Sequence, residues 1–239
     1  MRQTTSIVLA VAAFALAGHR DAGAQTSPGS TMLFLDVNVG FQAPSQTLGT
    51  NATFPLFGET AVVSAVQNVP VAPVIDARIG YRATPRFSFA VAVSGRKDES
   101  DGQALAAIPS PIFLASPTIV NLTSSGLKRR EIGYHIQLVW LVPVWDKVEV
   151  TVYGGPSFIH LQQTVMSGTL TGQTISVSSQ NETGTAKGGN GGVDVTYLVS
   201  NRYGVGFFAR YAGGSLDLPS ASGVRVGGFQ SGGGLRLRF

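Results

Sequence analysis

Hydrophobic residues alternate with small or polar ones over much of this chain. In Leu33–Phe41, Leu33, Leu35, Val37, Val39 and Phe41 fall on one face, while Phe34, Asp36, Asn38 and Gly40 fall on the other. A period of two is the period of an extended strand. Seven more segments repeat it. Ile75, Ala77, Ile79 and Tyr81 oppose Asp76, Arg78, Gly80 and Arg82; Phe87, Phe89, Val91 and Val93 oppose Ser88, Ala90, Ala92 and Ser94. Ile132 to Trp140 alternate with Glu131, Gly133, His135, Gln137 and Val139, and Val148, Val150 and Val152 with Glu149, Thr151 and Tyr153. Val193, Val195 and Tyr197 oppose Asp194 and Thr196, and Val205 to Tyr211 oppose Gly206, Phe208 and Arg210. At the end of the chain Leu235, Leu237 and Phe239 oppose Gly234, Arg236 and Arg238.

The pattern predicts eight strands joined by unequal connections. Those at "ATPR", "VPVWDK" and "SNRYG" are short, and those at roughly 42–72, 98–127, 164–187 and 214–224 are long. Short turns at one end and long loops at the other are the habit of a transmembrane barrel. The chemistry of the two faces agrees. A solvated sheet would carry many Lys and Glu on its polar face, whereas this one carries Gly, Ala, Ser and Thr with isolated Asp, Glu and Arg, which suits a narrow, crowded lumen. The expected fold is therefore all-β, an eight-stranded antiparallel up-and-down transmembrane β-barrel with its apolar rows toward lipid. Tyr81, Phe87, Trp140, Trp145, Tyr197 and Tyr203 flank the short turns, where one interfacial aromatic girdle belongs. Leu235, Leu237 and Phe239 then meet lipid, and the last strand pairs with the first, since an open edge in hydrocarbon leaves backbone groups unsatisfied.

Composition narrows the choices further. Charged residues make up 13% of the 239-residue chain, against about 25% in an average soluble domain, and there are 30 glycines and no cysteine. Disulfides, thiolate metal sites and a Cys nucleophile are excluded. A formal net charge of +4, with "KRR" at Lys128 to Arg130 as the one basic run, gives no footprint for nucleic acid. Residues 1–24 combine a cationic start at Arg2, an apolar stretch from Ile7 to Ala17 and Ala22-Gly23-Ala24, the pattern of a secretory signal peptide cleaved before Gln25. Residues 25–239 then form one barrel domain. Without Arg2, Arg20 and Asp21 the mature chain carries +3.

The leader, "VIDARIGYRATPRFSFAVAVSG", "VEVTVYGGPSF" and the terminal "GGGLRLRF" together resemble the small outer-membrane β-barrel domain family of OmpA/OmpX-like type, over essentially the whole mature chain. The resemblance implies a bacterial outer-membrane location. It also implies assembly by the outer-membrane barrel insertion machinery, which in that family reads a terminal strand ending in an aromatic; Phe239 matches. Unlike OmpA-like proteins, no peptidoglycan-binding domain follows Phe239 in this sequence.

The search for chemistry yields charge pairs and no catalytic, cofactor or metal residues. Asp36, Asp76, Glu131, Glu149 and Asp194 face the lumen with Arg78, Arg82, Arg210, Arg236 and Arg238, and buried charges of opposite sign are expected to pair and plug it. A gated ion path through such pairs is the functional counterpart. His135 and His160 have Gln137 and Gln162 two residues on, where a nucleophile would share their face, and Ser157 lies three from His160, an odd spacing that sets the two apart. His135 reads as a hydrogen-bonded lumen residue. Gly188 to Gly192, "GGNGG", lacks the lysine of a phosphate loop and reads as a flexible lead into a strand. The first two long loops are more apolar than solvation requires; they extend the strands, cover the mouth or contact an extracellular partner. The functional expectation is a non-enzymatic structural or surface-interaction barrel. A narrow conduit for ions or small hydrophobic solutes is the first alternative, and a soluble periplasmic or secreted ligand-binding barrel the second.

Overall fold

The computed structural model describes residues 32–44, 48–113, 116–171 and 174–239; the leader read at 1–24 lies outside them. Ten antiparallel strands form one sheet: β1 (Leu33–Pro44), β2 (Leu48–Leu56), β3 (Glu59–Gln67), β4 (Ala72–Arg82), β5 (Phe87–Ile108), β6 (Thr118–Trp145), β7 (Val148–Thr171), β8 (Thr174–Leu198), β9 (Tyr203–Leu218) and β10 (Ala221–Arg238). Eight of them close a ring. Its order is β5-β4-β1-β10-β9-β8-β7-β6, and pairing of β6 with β5 completes it. Leu33 and Phe239 exchange backbone hydrogen bonds in both directions, at 2.9 and 3.3 Å, so the last residue is fixed against the first strand.

Register sets the geometry of the ring. From Leu235 on β10, successive Cα partners run through Val37, Ala77, Val93, Tyr134, Phe158, Lys187 and Ser215, and return to β10 at Arg225, ten residues away. For eight strands, that stagger corresponds to a tilt of about 40°. Side chains then divide as the alternation requires. Val39, Ile75, Ile79, Phe89, Val91, Ile136, Leu138, Val205, Phe207 and Leu235 are exposed on the outer face, and Asp36, Asp76, Ser88, Ala92, His135, Asp194 and Arg236 are buried within.

The six aromatics of the predicted girdle are all exposed beside the short turns, and Phe87 and Trp140 stack with centroids 6.5 Å apart. At the other rim lie Phe41, Tyr134, Phe158, Tyr211 and Phe229. On β9 the two girdles are eight residues apart (Tyr203 to Tyr211). Eight residues span about 27 Å along a strand, which a 40° tilt reduces to about 20 Å, close to the outward apolar band of membrane barrels.

The long connections are mostly strand. β5 and β6 continue upward to Ile108 and from Thr118, β7 and β8 to Thr171 and from Thr174, and β9 and β10 meet around Pro219 and Ser220. Two sequence readings are corrected here. The stretch 42–72 holds a hairpin, β2–β3, turned by Phe57 and Gly58, both with positive φ (51° and 79°), as a two-residue primed turn requires. That hairpin takes the position beside β5 that β4 vacates: β4 pairs with β5 up to Arg96, and β3 pairs with it from Gly102 to Ala107. Likewise "GGNGG" is no flexible lead, because Gly188–Gly192 pair with β7 and β9 in mid-strand. Above the belt the interior holds two apolar clusters, one of Ile159, Leu161, Val165, Ala186, Leu218, Val224 and Val226 and another of Ala65, Ala104, Leu127 and Met166.

Candidate functional site

The lumen is the chemically dense part of the molecule. All five predicted luminal acids are paired with arginine. Asp36 accepts from Arg78 Nε at 2.8 Å and Nη2 at 2.6 Å, and from Arg238 Nη1 at 3.2 Å. Asp194 accepts from Arg236 Nε at 3.2 Å, from Arg236 Nη2, and from the Thr196 hydroxyl at 2.8 Å. Arg210 lies 2.9 Å from Asp76. Glu149 meets Arg238 at 3.3 Å and Arg82 at 4.0 Å, at the short-turn mouth. Phe34 and Tyr153 line the same layer, with the Arg78 guanidinium 5.8 and 4.6 Å from their ring centroids.

The fifth acid, Glu131, finds a cation the sequence reading left out. Arg129 Nε donates to Glu131 Oε1 at 2.7 Å. Arg129 belongs to the "KRR" run, which looks like a surface patch until the period of two is carried through it: Leu127, Arg129 and Glu131 are buried, and Lys128 is exposed. Arg96 is a second omission. It reaches the Pro70 carbonyl at 2.6 Å and Asp98 at 2.7 Å. Asp98 stands above the apolar belt, where burial pushes its carboxyl up from the usual range while Arg96 opposes the shift.

Amides join these pairs into one continuous ladder. Arg236 Nη1 donates to Asn38 at 2.7 Å, and Asn38 to Asp76 at 3.0 Å. Arg210 Nε donates to Gln230 at 2.9 Å, Gln230 to Gln42 at 2.7 Å, and Gln42 to Glu131 at 2.9 Å. Arg129 then donates to Gln163 at 2.6 Å, Gln163 to Gln67 at 2.9 Å, and Gln67 to Ser100 at 2.8 Å. The contacts run from the short-turn mouth to the β2–β3 hairpin. An open aqueous channel would leave its lining wet, yet Asp36, Arg210 and Arg236 are 1%, 2% and 0% exposed. A void of about 10 Å³, room for about one water, lies among Gln42, Ser94, Glu131, His135 and Gln230.

His135 sits in this lumen, as expected. Its Nε2 lies 2.9 Å from Ser94 Oγ and its Nδ1 2.8 Å from Ser157 Oγ; Asn190 donates to Ser157 at 2.9 Å, and Gln137 to Asn190 at 2.9 Å. Ser157 thus faces His135 across the β6–β7 ladder, its Cα partner in register, and is not grouped with His160, which lies beside Thr185 at 3.1 Å. No carboxylate bonds the His135 ring, so the orienting third member of a triad is absent among the described residues. No group of three or more His, Cys, Asp or Glu among those residues could hold a metal ion.

The closed ring, its stagger and its exposed apolar belt define a small membrane-spanning β-barrel protein. The OmpA/OmpX-like resemblance is borne out at the level of fold. No family model matches the chain, and no curated protein matches it. Among solved structures it is similar to the outer membrane protein OprG from Pseudomonas aeruginosa, at 8% identity and a TM-score of 0.49, over 87% of this chain and 95% of that one. It is also similar to Neisserial surface protein A (18%, TM-score 0.39, 87% and 97%) and to the outer membrane protease OmpT from Escherichia coli (8%, 0.44, 91% and 99%).

Proposed function

We propose that this chain is a bacterial outer-membrane protein with a structural or surface-interaction role and no catalytic site, inserted by the barrel assembly machinery through its last strand and Phe239. The observation that carries the reading is the division of labour along the barrel axis. Within the belt, paired charges occupy the lumen, and Asp36, Arg236 and Arg210 are all but inaccessible to water. Beyond it, β2, β3 and the upper parts of β5 to β10 build a lobe that holds two apolar clusters. The lobe's outer surface carries Val66, Leu105, Ile112, Phe113 and Ile119, all at least half exposed. Apolar side chains held above a membrane on rigid strands suit contact with another macromolecule.

Planar-bilayer recording of the purified protein tests the closed lumen. The expected result is silence, in the native protein and in Arg78→Ala and Arg210→Ala alike. Steady ion-selective conductance in the native protein would instead establish the narrow conduit. Membrane fractionation of cells expressing the full chain tests the location, with the protein expected in the outer-membrane fraction and extracted by detergent alone.

A further inference from the structure

Four cations stand on the outer face just above the upper aromatic girdle. On β5, Lys97 lies four residues beyond Val93, and on β6, Arg130 lies four beyond Tyr134. Lys187 on β8 is the Cα partner of Phe158, and Arg225 on β10 lies four residues above Phe229. Lys97 and Arg130 are themselves Cα partners, a like-charge pair directly across a ladder, which is unfavourable unless an anion sits between them. Lys187 and Arg225 flank Ser215, the partner of both, so two long basic side chains can converge over one hydroxyl. None of the four forms an ion pair among the described residues. The nearest outward acids on these strands, Glu99 and Asp217, are two residues farther from the belt than Lys97 and Ser215, and Asp217 Oδ1 accepts from the Gly223 amide at 2.7 Å.

A second feature lies beneath the Lys187–Arg225 pair. Tyr211 leans upward along β9: a Cβ built on Gly213 would stand 3.2 Å from its hydroxyl. The phenol therefore presents its oxygen toward the basic row and its ring toward the belt. Gly189 and Gly213, Cα partners between the girdle and the cations, leave the surface there without side chains.

We infer that this collar binds lipids whose headgroups carry phosphate with net negative charge, with the acyl chains on the belt and the phosphate oxygens between Lys97 and Arg130 or between Lys187, Ser215 and Arg225. The inference rests on the reading that the belt lies in a membrane. Continuity of the cations with exposed Phe158, Tyr211 and Phe229 is what selects a lipid over a soluble anion.

The test is native mass spectrometry of the full barrel released from nanodiscs of phosphatidylcholine, with or without diphosphorylated lipid A. The native protein is expected to retain lipid A. Lys97→Gln/Arg130→Gln and Lys187→Gln/Arg225→Gln should each weaken retention about 30-fold at low ionic strength, from two headgroup cations apiece. Lys147→Gln/Arg202→Gln, at the short-turn end, should change nothing. Undiminished retention in both collar variants overturns the inference, as does equal competition by inorganic phosphate or dextran sulfate, which have no acyl chains. A collar variant that still enters nanodiscs and migrates as a folded barrel separates failure here from failure of the membrane reading.

Discussion

Gln163 on β7 donates to Gln67 on β3 at 2.9 Å, and through that one contact the charge ladder of the lumen reaches the hairpin above it. Gln67 belongs to a connection, and its side chain is nonetheless buried and held at both ends, by Gln163 and by Ser100. Removing its amide should free the hairpin without opening the ring. Gln67→Ala is expected to cost about 1 kcal/mol. Amide hydrogen exchange should accelerate across Val62–Gln67 and remain slow in β1 and β10. Uniform acceleration over all strands would show that the contact supports the whole barrel.

Arg236 makes the opposite case, a charge whose loss the ring cannot absorb. Its guanidinium is wholly buried and engages Asp194 and Asn38, so Arg236→Met leaves Asp194 with Arg78 3.7 Å away as its remaining cation. Breaking such a buried pair costs roughly 3–5 kcal/mol. Removing both members, in Arg236→Met/Asp194→Leu, should cost clearly less, because no uncompensated charge is left. Urea unfolding in lipid vesicles measures both; a double variant as unstable as the single one would mean the ladder contributes through its hydrogen bonds and not through charge balance.

Much of this was legible in the sequence because one rule, alternation, covers both the fold and the site. The eight ring strands and the paired acids Asp36, Asp76, Glu149 and Asp194 follow from asking which residues share a face. Arg129 was hidden because three successive cations look like a solvated patch, although one of them must point inward if the strand continues. The β2–β3 hairpin was hidden for another reason. Its turn is Phe57-Gly58, without the Asn-Gly or Asp-Gly that marks a primed turn, and its strands are short beside their neighbours. Ser157 facing His135 could not be read at all from spacing along one strand, since it depends on the register between two.

Gly80 shows how small residues on the luminal face make room for large ones. The Phe34 ring occupies the space that a Cβ at Gly80 would need, and that ring also packs 5.8 and 5.4 Å from the guanidinium carbons of Arg78 and Arg238. Gly80→Val should therefore displace Phe34 and disturb both arginines, at about 1–3 kcal/mol. Combining it with Phe34→Ala should recover part of the loss. Additive losses in urea titrations would place the strain elsewhere.

Phe239 separates stability from assembly. Its backbone is bonded to Leu33 in both directions and its side chain is exposed at the rim of the belt, so the ring contributes to lipid contact but fills no luminal space. Phe239→Ala keeps both backbone bonds and removes one aromatic from the lipid face, worth about 2 kcal/mol. The protein refolded into vesicles should thus remain a barrel, recognised by its faster migration before boiling. In cells the outcome should be worse than that figure implies, because the insertion machinery is proposed to read this residue. The ratio of unboiled, fast-migrating protein to total protein in the outer-membrane fraction measures it. A fall in that ratio many times larger than the change in refolded stability supports recognition of Phe239; a ratio equal to that of the native chain rejects it.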